Sequence, residues 1–176
     1  MIEQIIVDLK DKESQISEIG TKVFDRIIGL PTDVRPADEK PRTGIQIYIR
    51  QPGTRNSAFV SVYSPSKDAM TFSVEKSVRT EMKGDWSSQN SAEPDIMRFA
   101  GCIVVIYNGI VYHCSVSGLK APEDVATAVI TLADVLGVSI EYVLECVKTN
   151  FGLLPEEFHT GHYLNQILDE YTTKIV

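Results

Sequence analysis

Cys102-Ile103-Val104-Val105-Ile106-Tyr107-Asn108-Gly109-Ile110-Val111-Tyr112-His113-Cys114-Ser115-Val116-Ser117 is the stretch whose reading decides the fold. Two runs rich in β-branched and aromatic residues flank Asn108-Gly109, the pair that a two-residue hairpin turn favours because both turn positions need positive φ. A turn there sets Val104 opposite His113 and Ile103 opposite Cys114. Side-chain alternation then puts Cys102 and Cys114 on opposite faces, which excludes a disulfide between them. One face carries Ile103, Val105, Tyr107, Ile110, Tyr112, Cys114 and Val116 and is nearly all apolar. The other carries Cys102, Val104, Ile106, Val111, His113, Ser115 and Ser117 and has a polar end. Such a mixed face suits a protein–protein interface with an apolar centre and polar rim, or a covering helix of the same chain.

Outward from the hairpin, Ile45, Ile47 and Ile49 alternate with Gln46, Tyr48 and Arg50, the period of a half-buried strand. Pro52-Gly53 turns the chain and Phe59 to Tyr63 returns as a second strand. Before them, Ile16, Ile19, Val23, Ile27 and Leu30 recur at helical spacing, so Asp11 to about Leu30 reads as an amphipathic helix. Pro31 to Arg42 holds three prolines and reads as an exposed connector. Ser64-Pro65-Ser66 offers helix-start chemistry. Met70, Val74, Val78 and Met82 then form one stripe, with Lys76, Arg79 and Lys83 on the opposite side, until Gly84 stops the helix. Trp86 to Pro94 reads as a polar loop.

Beyond the hairpin, Gly118 breaks the strand and a helix starts at about Pro122, with Glu123 and Asp124 in the first turn, where the helix dipole favours negative charge. Val125, Val129, Leu132 and Leu136 are its buried stripe and Gly137 ends it. Ser139 can cap a short helix to about Thr149. Pro155 opens a last one, with Leu164, Ile167, Leu168 and Tyr171 on one face, as a candidate cover for the mixed sheet face. Strands that pair as hairpins with helices between them give an α+β fold with an antiparallel sheet, not a doubly wound nucleotide-binding fold.

With 176 residues, the chain suits one domain, 1–176, with extra C-terminal helices at about 139–176. Seventeen basic against twenty-four acidic residues give a net charge of -7, which disfavours nucleic acid as a partner. Met1 to Asp8 has no basic leader or cleavage site. No apolar run approaches the ~18 residues that would cross a membrane. Cys102, Cys114 and Cys146 form no C-x-x-C pair. These features lead to the expectation of a soluble, cytoplasmic protein.

The stretch Phe99-Ala100-Gly101-Cys102-Ile103-Val104 through His113-Cys114-Ser115-Val116-Ser117-Gly118-Leu119-Lys120-Ala121-Pro122-Glu123-Asp124 resembles the signature of the GlcG/HbpS/PduO-C family, also described as heme-degrading-domain-like. That signature runs from a Gly-Gly strand start, through a short hairpin, to a V-S-G turn and an acidic helix start. Lys76, the pair Ser87-Ser88 and the wording Ser117-Gly118-Leu119-Lys120 resemble the family's small single-domain branch, and the likeness spans about residues 45–137. The resemblance implies a profilin-like domain with a five-stranded antiparallel sheet and packed helices, commonly a homo-oligomer. It implies a heme or corrinoid-type cofactor or another small anionic ligand. Two positions depart from the pattern: Cys102 stands at the second glycine, and the N-terminal helix has no histidine for an axial ligand. Both weigh against heme.

Lys76, Arg79 and Lys83 form a stripe that can face carboxylate or propionate groups, or simply a solvated helix face. Together with Ser87, Ser88, His113, Ser117 and Gly118, Lys76 and Arg79 make up the candidate ligand-binding set. Ser117-Gly118 and Glu123-Asp124 also have a purely structural explanation as a tight turn and a helix start. Ser87 and Ser88 have no neighbouring histidine to activate them. His159 and His162 lack a third metal ligand. No phosphate-loop, dinucleotide or hydrolase motif is present. Without a matched acid and base, the chain reads as a small-molecule binding domain or a homo-oligomeric interaction module, with an enzyme using Lys76 and the serine loop as the weaker alternative.

Overall fold

A computed structural model describes residues 6–84, 92–93, 100–151, 158 and 162–172. A 3-10 turn at Lys10–Lys12 leads into α1 (Glu13–Ile28), followed by β1 (Gly44–Arg50), β2 (Ser57–Tyr63), α2 (Lys67–Lys83), β3 (Cys102–Tyr107), β4 (Ile110–Ser117), α3 (Ala121–Leu136), α4 (Ile140–Phe151) and α5 (Tyr163–Thr172). The strands form one antiparallel sheet in the order β2-β1-β4-β3. The fold is therefore α+β, but the described residues form four strands and not five.

The hairpin has the expected register, with Val104 opposite His113 and Ile103 opposite Cys114. Asn108 (φ 52°) and Gly109 (φ 77°) both lie in the left-handed region, as a type I′ turn requires. Cys102, Cys114 and Cys146 are all free thiols. The caps read from the sequence also form: Ala69 N donates to Ser66 Oγ (3.0 Å) and Tyr142 N to Ser139 Oγ (3.1 Å).

One sheet face is a dry layer. Ile45, Ile47 and Ile49 of β1, Val60 and Val62 of β2 and Ile103, Val105, Tyr112, Cys114 and Val116 of the hairpin are buried there under α1 and α3. Each such aliphatic side chain contributes roughly 1.5–3 kcal/mol on full burial. α4 packs on α3 and β3, and α5 packs on α3 and α4 through Leu164, Ile167, Leu168 and Tyr171. Arg26 of α1 grips Glu170 of α5 with two hydrogen bonds (2.9 and 2.7 Å). The terminal helix thus belongs to the dry layer and is not the cover of the mixed face.

That cover is α2, which packs on β4, β1 and β3. It is turned the opposite way from an ordinary amphipathic helix. Lys76 is 1% exposed, and Ser73, Ser77, Arg79 and Thr80 are buried, while Met70, Val74, Val78 and Met82 all face out and Met82 is 82% exposed. Of the basic stripe, only Lys83 is solvated. The reason lies in the sheet surface beneath. Ser77 Oγ accepts from Arg50 Nε and lies 3.4 Å from His113 Nδ1, and the Lys76 ammonium reaches Val116 O and Asp124, buried pairings that apolar side chains could not make.

Candidate functional site

Lys76 sits where α2 crosses the end of β4. Its ammonium donates to Val116 O at 2.7 Å and to Asp124 Oδ2 at 2.9 Å. The other carboxylate oxygen of Asp124 accepts from Leu119 N at 3.0 Å, so one buried acid ties α2, the Ser117-Gly118 turn and the start of α3 together. Burial raises the Asp124 carboxyl to about 6, against the opposing pull of Lys76. Gly101 makes room for this pair. It stands at φ 136°, and a Cβ there would lie 2.7 Å from Lys76 Nζ, 2.6 Å from Val116 O and 2.9 Å from Asp124 Cβ. The first glycine of the strand start is therefore required by its positive φ and by the Val116 carbonyl, with the ammonium pressed beside it.

Glu123, the adjacent acid, anchors the Pro31–Arg42 connector. Arg35 Nε and Nη2 donate to its two carboxylate oxygens (2.5 and 2.9 Å), Tyr163 Oη adds a third bond at 2.7 Å, and Lys120 N a fourth at 3.0 Å. Arg35 also reaches Asp38 (2.8 Å), and the other oxygen of Asp38 accepts from Arg42 Nη2 (2.9 Å). The connector is thus mostly exposed but pinned through Arg35, and the chain of charges ends by holding the Arg42 guanidinium in place.

Beside these residues lies an open cleft of about 560 Å³, walled by the first turn of α2 (Ser66, Asp68, Ala69), by Lys76 and Asp124, by Ser117-Gly118, and by Arg42 and Lys120. Both helix N-termini border it and bring the partial positive charge of their dipoles. Among the described residues, Lys120 Nζ is bound only to a neutral acceptor, Pro36 O (2.7 Å). Arg42 Nε is buried without a hydrogen-bond partner. A buried donor left open is unfavourable, while the exposed part of the Arg42 side chain lines the cleft. Ser117, 5% exposed, stands on the same wall. Asp68 is the one exposed acid there.

Of the residues singled out from the sequence, Lys76, Ser117 and Gly118 meet at this cleft. Arg79 and His113 do not. Arg79 is bound to Glu75 one turn back (2.7 and 2.8 Å). His113 is 4% exposed, with its Nδ1 3.4 Å from Ser77 Oγ, which in turn accepts from Arg50 Nε at 2.6 Å; Arg50 also pairs with Glu81. Burial, with Arg50 nearby, pulls the imidazole down to about 4 and keeps it neutral. The serine–histidine contact is sealed under α2 and acts as packing, because no substrate atom reaches a buried hydroxyl. Ser87, Ser88 and His159 lie outside the described residues. Arg42, Lys120 and Asp68 were missed by sequence reading: they come from three segments whose approach no local pattern announces.

Among the described residues, the cleft lining contains no histidine, cysteine, methionine or tyrosine, so it offers heme iron no usual axial ligand. No group of metal-ligating residues occurs among the described residues, and no described helix is long and apolar enough to cross a membrane. No family model, curated protein or solved structure matches the chain.

Proposed function

We propose that the protein is a binding domain for a small anion, a carboxylate or phosphate compound, seated in the cleft at the N-termini of α2 and α3. The observation that carries this reading is the cationic wall of one cleft, where the partly exposed Arg42 guanidinium and Lys120 stand together beside Ser117. Asp38 and Asp124 are already engaged by Arg42 and Lys76, so both acids serve to fix the cations and neither is free to act as a general base. That arrangement supports binding without chemistry. The GlcG/HbpS-like ancestry, with its profilin-like arrangement and cytoplasmic location, is part of the same proposal and rests on the residues quoted for it. The tetrapyrrole form of that ancestry gains no support from the cleft.

Thermal unfolding of the full chain in inorganic phosphate and in citrate, each against chloride of equal ionic strength, tests the reading. A specific ligand at a hundred times its Kd adds about 2.7 kcal/mol. The expected result is a saturating rise in Tm for the wild type that disappears in Arg42→Ala, Lys120→Ala. A rise of equal size in that variant is the generic salting effect of such anions and overturns the site. Native mass spectrometry of the purified protein would identify the physiological ligand, and absence of a Soret shift on hemin titration is expected.

A second reading, that the chain forms a homo-oligomer, is favoured by a separate observation. Four large apolar side chains of one helix stand in water together, and a surface of that kind is usually an interaction site.

A further inference from the structure

The outer face of α2 has a self-complementary order. Met70, Val74, Val78 and Met82 are all exposed, four residues apart. The pattern reads the same in both directions. A twofold axis between Val74 and Val78 therefore lays Met70 of one helix on Met82 of a second copy, and Val74 on Val78. Symmetric dimers require such a patch, since each residue must match its symmetry-related partner.

The flanking charges repeat the symmetry. Lys67, exposed one turn before Met70, stands at one end of the stripe, and Glu81, its side chain 46% exposed, borders the other. Antiparallel pairing carries Lys67 to the partner's Glu81 end, and the twofold axis repeats this, so opposite charges meet twice. Parallel pairing instead sets Lys67 on Lys67 and Glu81 on Glu81, which repels. A groove of about 300 Å³ runs beside Val78 and Met82, between Glu75 and Lys83, and can take the side chains of an incoming Met70 and Val74. Ridges spaced four residues apart pack best on their like at a crossing of about 50°. Ile106 of β3 and Val111 of β4, paired across the hairpin, are also exposed, on the sheet face that α2 covers.

We infer that two copies of this chain associate through an antiparallel α2–α2 contact centred between Val74 and Val78. This deepens the homo-oligomer reading and rests on it, while it is independent of the anion cleft. Inverted amphipathicity gives it a physical basis, because α2 spends its polar side on the sheet and keeps its apolar side for the partner.

Three full-length double variants, compared with the wild type by sedimentation velocity over a hundredfold concentration range, test it. None of the changed side chains is buried, and a far-UV spectrum and melt for each confirm folding. Val74→Lys, Val78→Lys should be monomeric, as should Met70→Glu, Met82→Glu. Met70→Glu, Met82→Lys should remain dimeric, because only the antiparallel register brings the new glutamate to the partner's new lysine. A wild type that is monomeric at about 1 mM, far above typical transient dissociation constants, removes oligomerisation altogether. A wild-type oligomer that survives both of the first two variants leaves the oligomer standing and removes this interface. Loss of the dimer in Met70→Glu, Met82→Lys as well overturns the antiparallel register.

Discussion

Replacing Lys76 with methionine separates a core ion pair from a solvated helix face. The ammonium is buried against Asp124 and Val116 O, so its removal leaves a carboxyl in a dry site with one remaining donor, Leu119 N. Stripping one partner from a buried pair costs about 3–5 kcal/mol, a large part of the roughly 5–15 kcal/mol that holds a domain folded. The cost must also depend on pH in a defined way. In the wild type the Asp124 carboxyl is raised by burial to about 6. Its folded form binds a proton more readily than its unfolded form, at about 3.9, so this group's stability contribution is fullest below pH 4 and falls as pH rises to 6. Without Lys76 the carboxyl rises further, and the fall continues above pH 6 at about 1.4 kcal/mol per unit. The gap between wild type and Lys76→Met should therefore widen from pH 6 upward and be small near pH 4, where both proteins bury a neutral acid. Urea unfolding followed by circular dichroism at pH 4.5, 6 and 8, with unchanged m-values, measures it. Lys76→Met, Asp124→Asn should recover most of the loss, since a neutral amide can still accept from Leu119 N. A single variant within about 0.5 kcal/mol of wild type at pH 8, the range of ordinary surface changes, would refute the buried pair.

Gly101→Ala places a methyl group 2.7 Å from the same ammonium at φ 136°, and should lose about 3 kcal/mol or more in the same urea assay. Gly109→Val forces a β-branched residue to φ 77° in the hairpin turn; a loss of about 1–3 kcal/mol is expected, and an unchanged melting temperature would contradict the turn type. His113 titrates at about 4 in the folded protein against an ordinary 6.5, so the unfolded chain takes up the proton first as pH falls. Its contribution is complete above pH 6.5 and is lost towards pH 4, by up to ~3 kcal/mol. The difference between wild-type and His113→Gln stability curves should carry that slope, and a pH-independent difference would show the imidazole to be solvated.

Chain order, hairpin register, turn type and most helix caps were legible in the sequence because local geometry determines them. Asn108-Gly109 needs no distant contact to make a type I′ turn, alternation alone keeps Cys102 from Cys114, and Ser66 and Ser139 cap helices that start within their own reach. Ser117 and Gly118 were singled out through the V-S-G turn and Lys76 through its basic helix stripe and family-like position, and the three line the same cleft. The orientation of α2 was not legible. Periodicity separates Met70, Val74, Val78 and Met82 from Lys76 and Arg79, but it does not say which set faces the protein. That was decided by Arg50, His113, the Val116 carbonyl and Asp124, with which Ser77 and Lys76 pair and four apolar side chains could not. The cleft's Arg42 was hidden for the same reason, since its place depends on the relay through Asp38 and Arg35 to Glu123, a partner 88 residues from Arg35 in the chain.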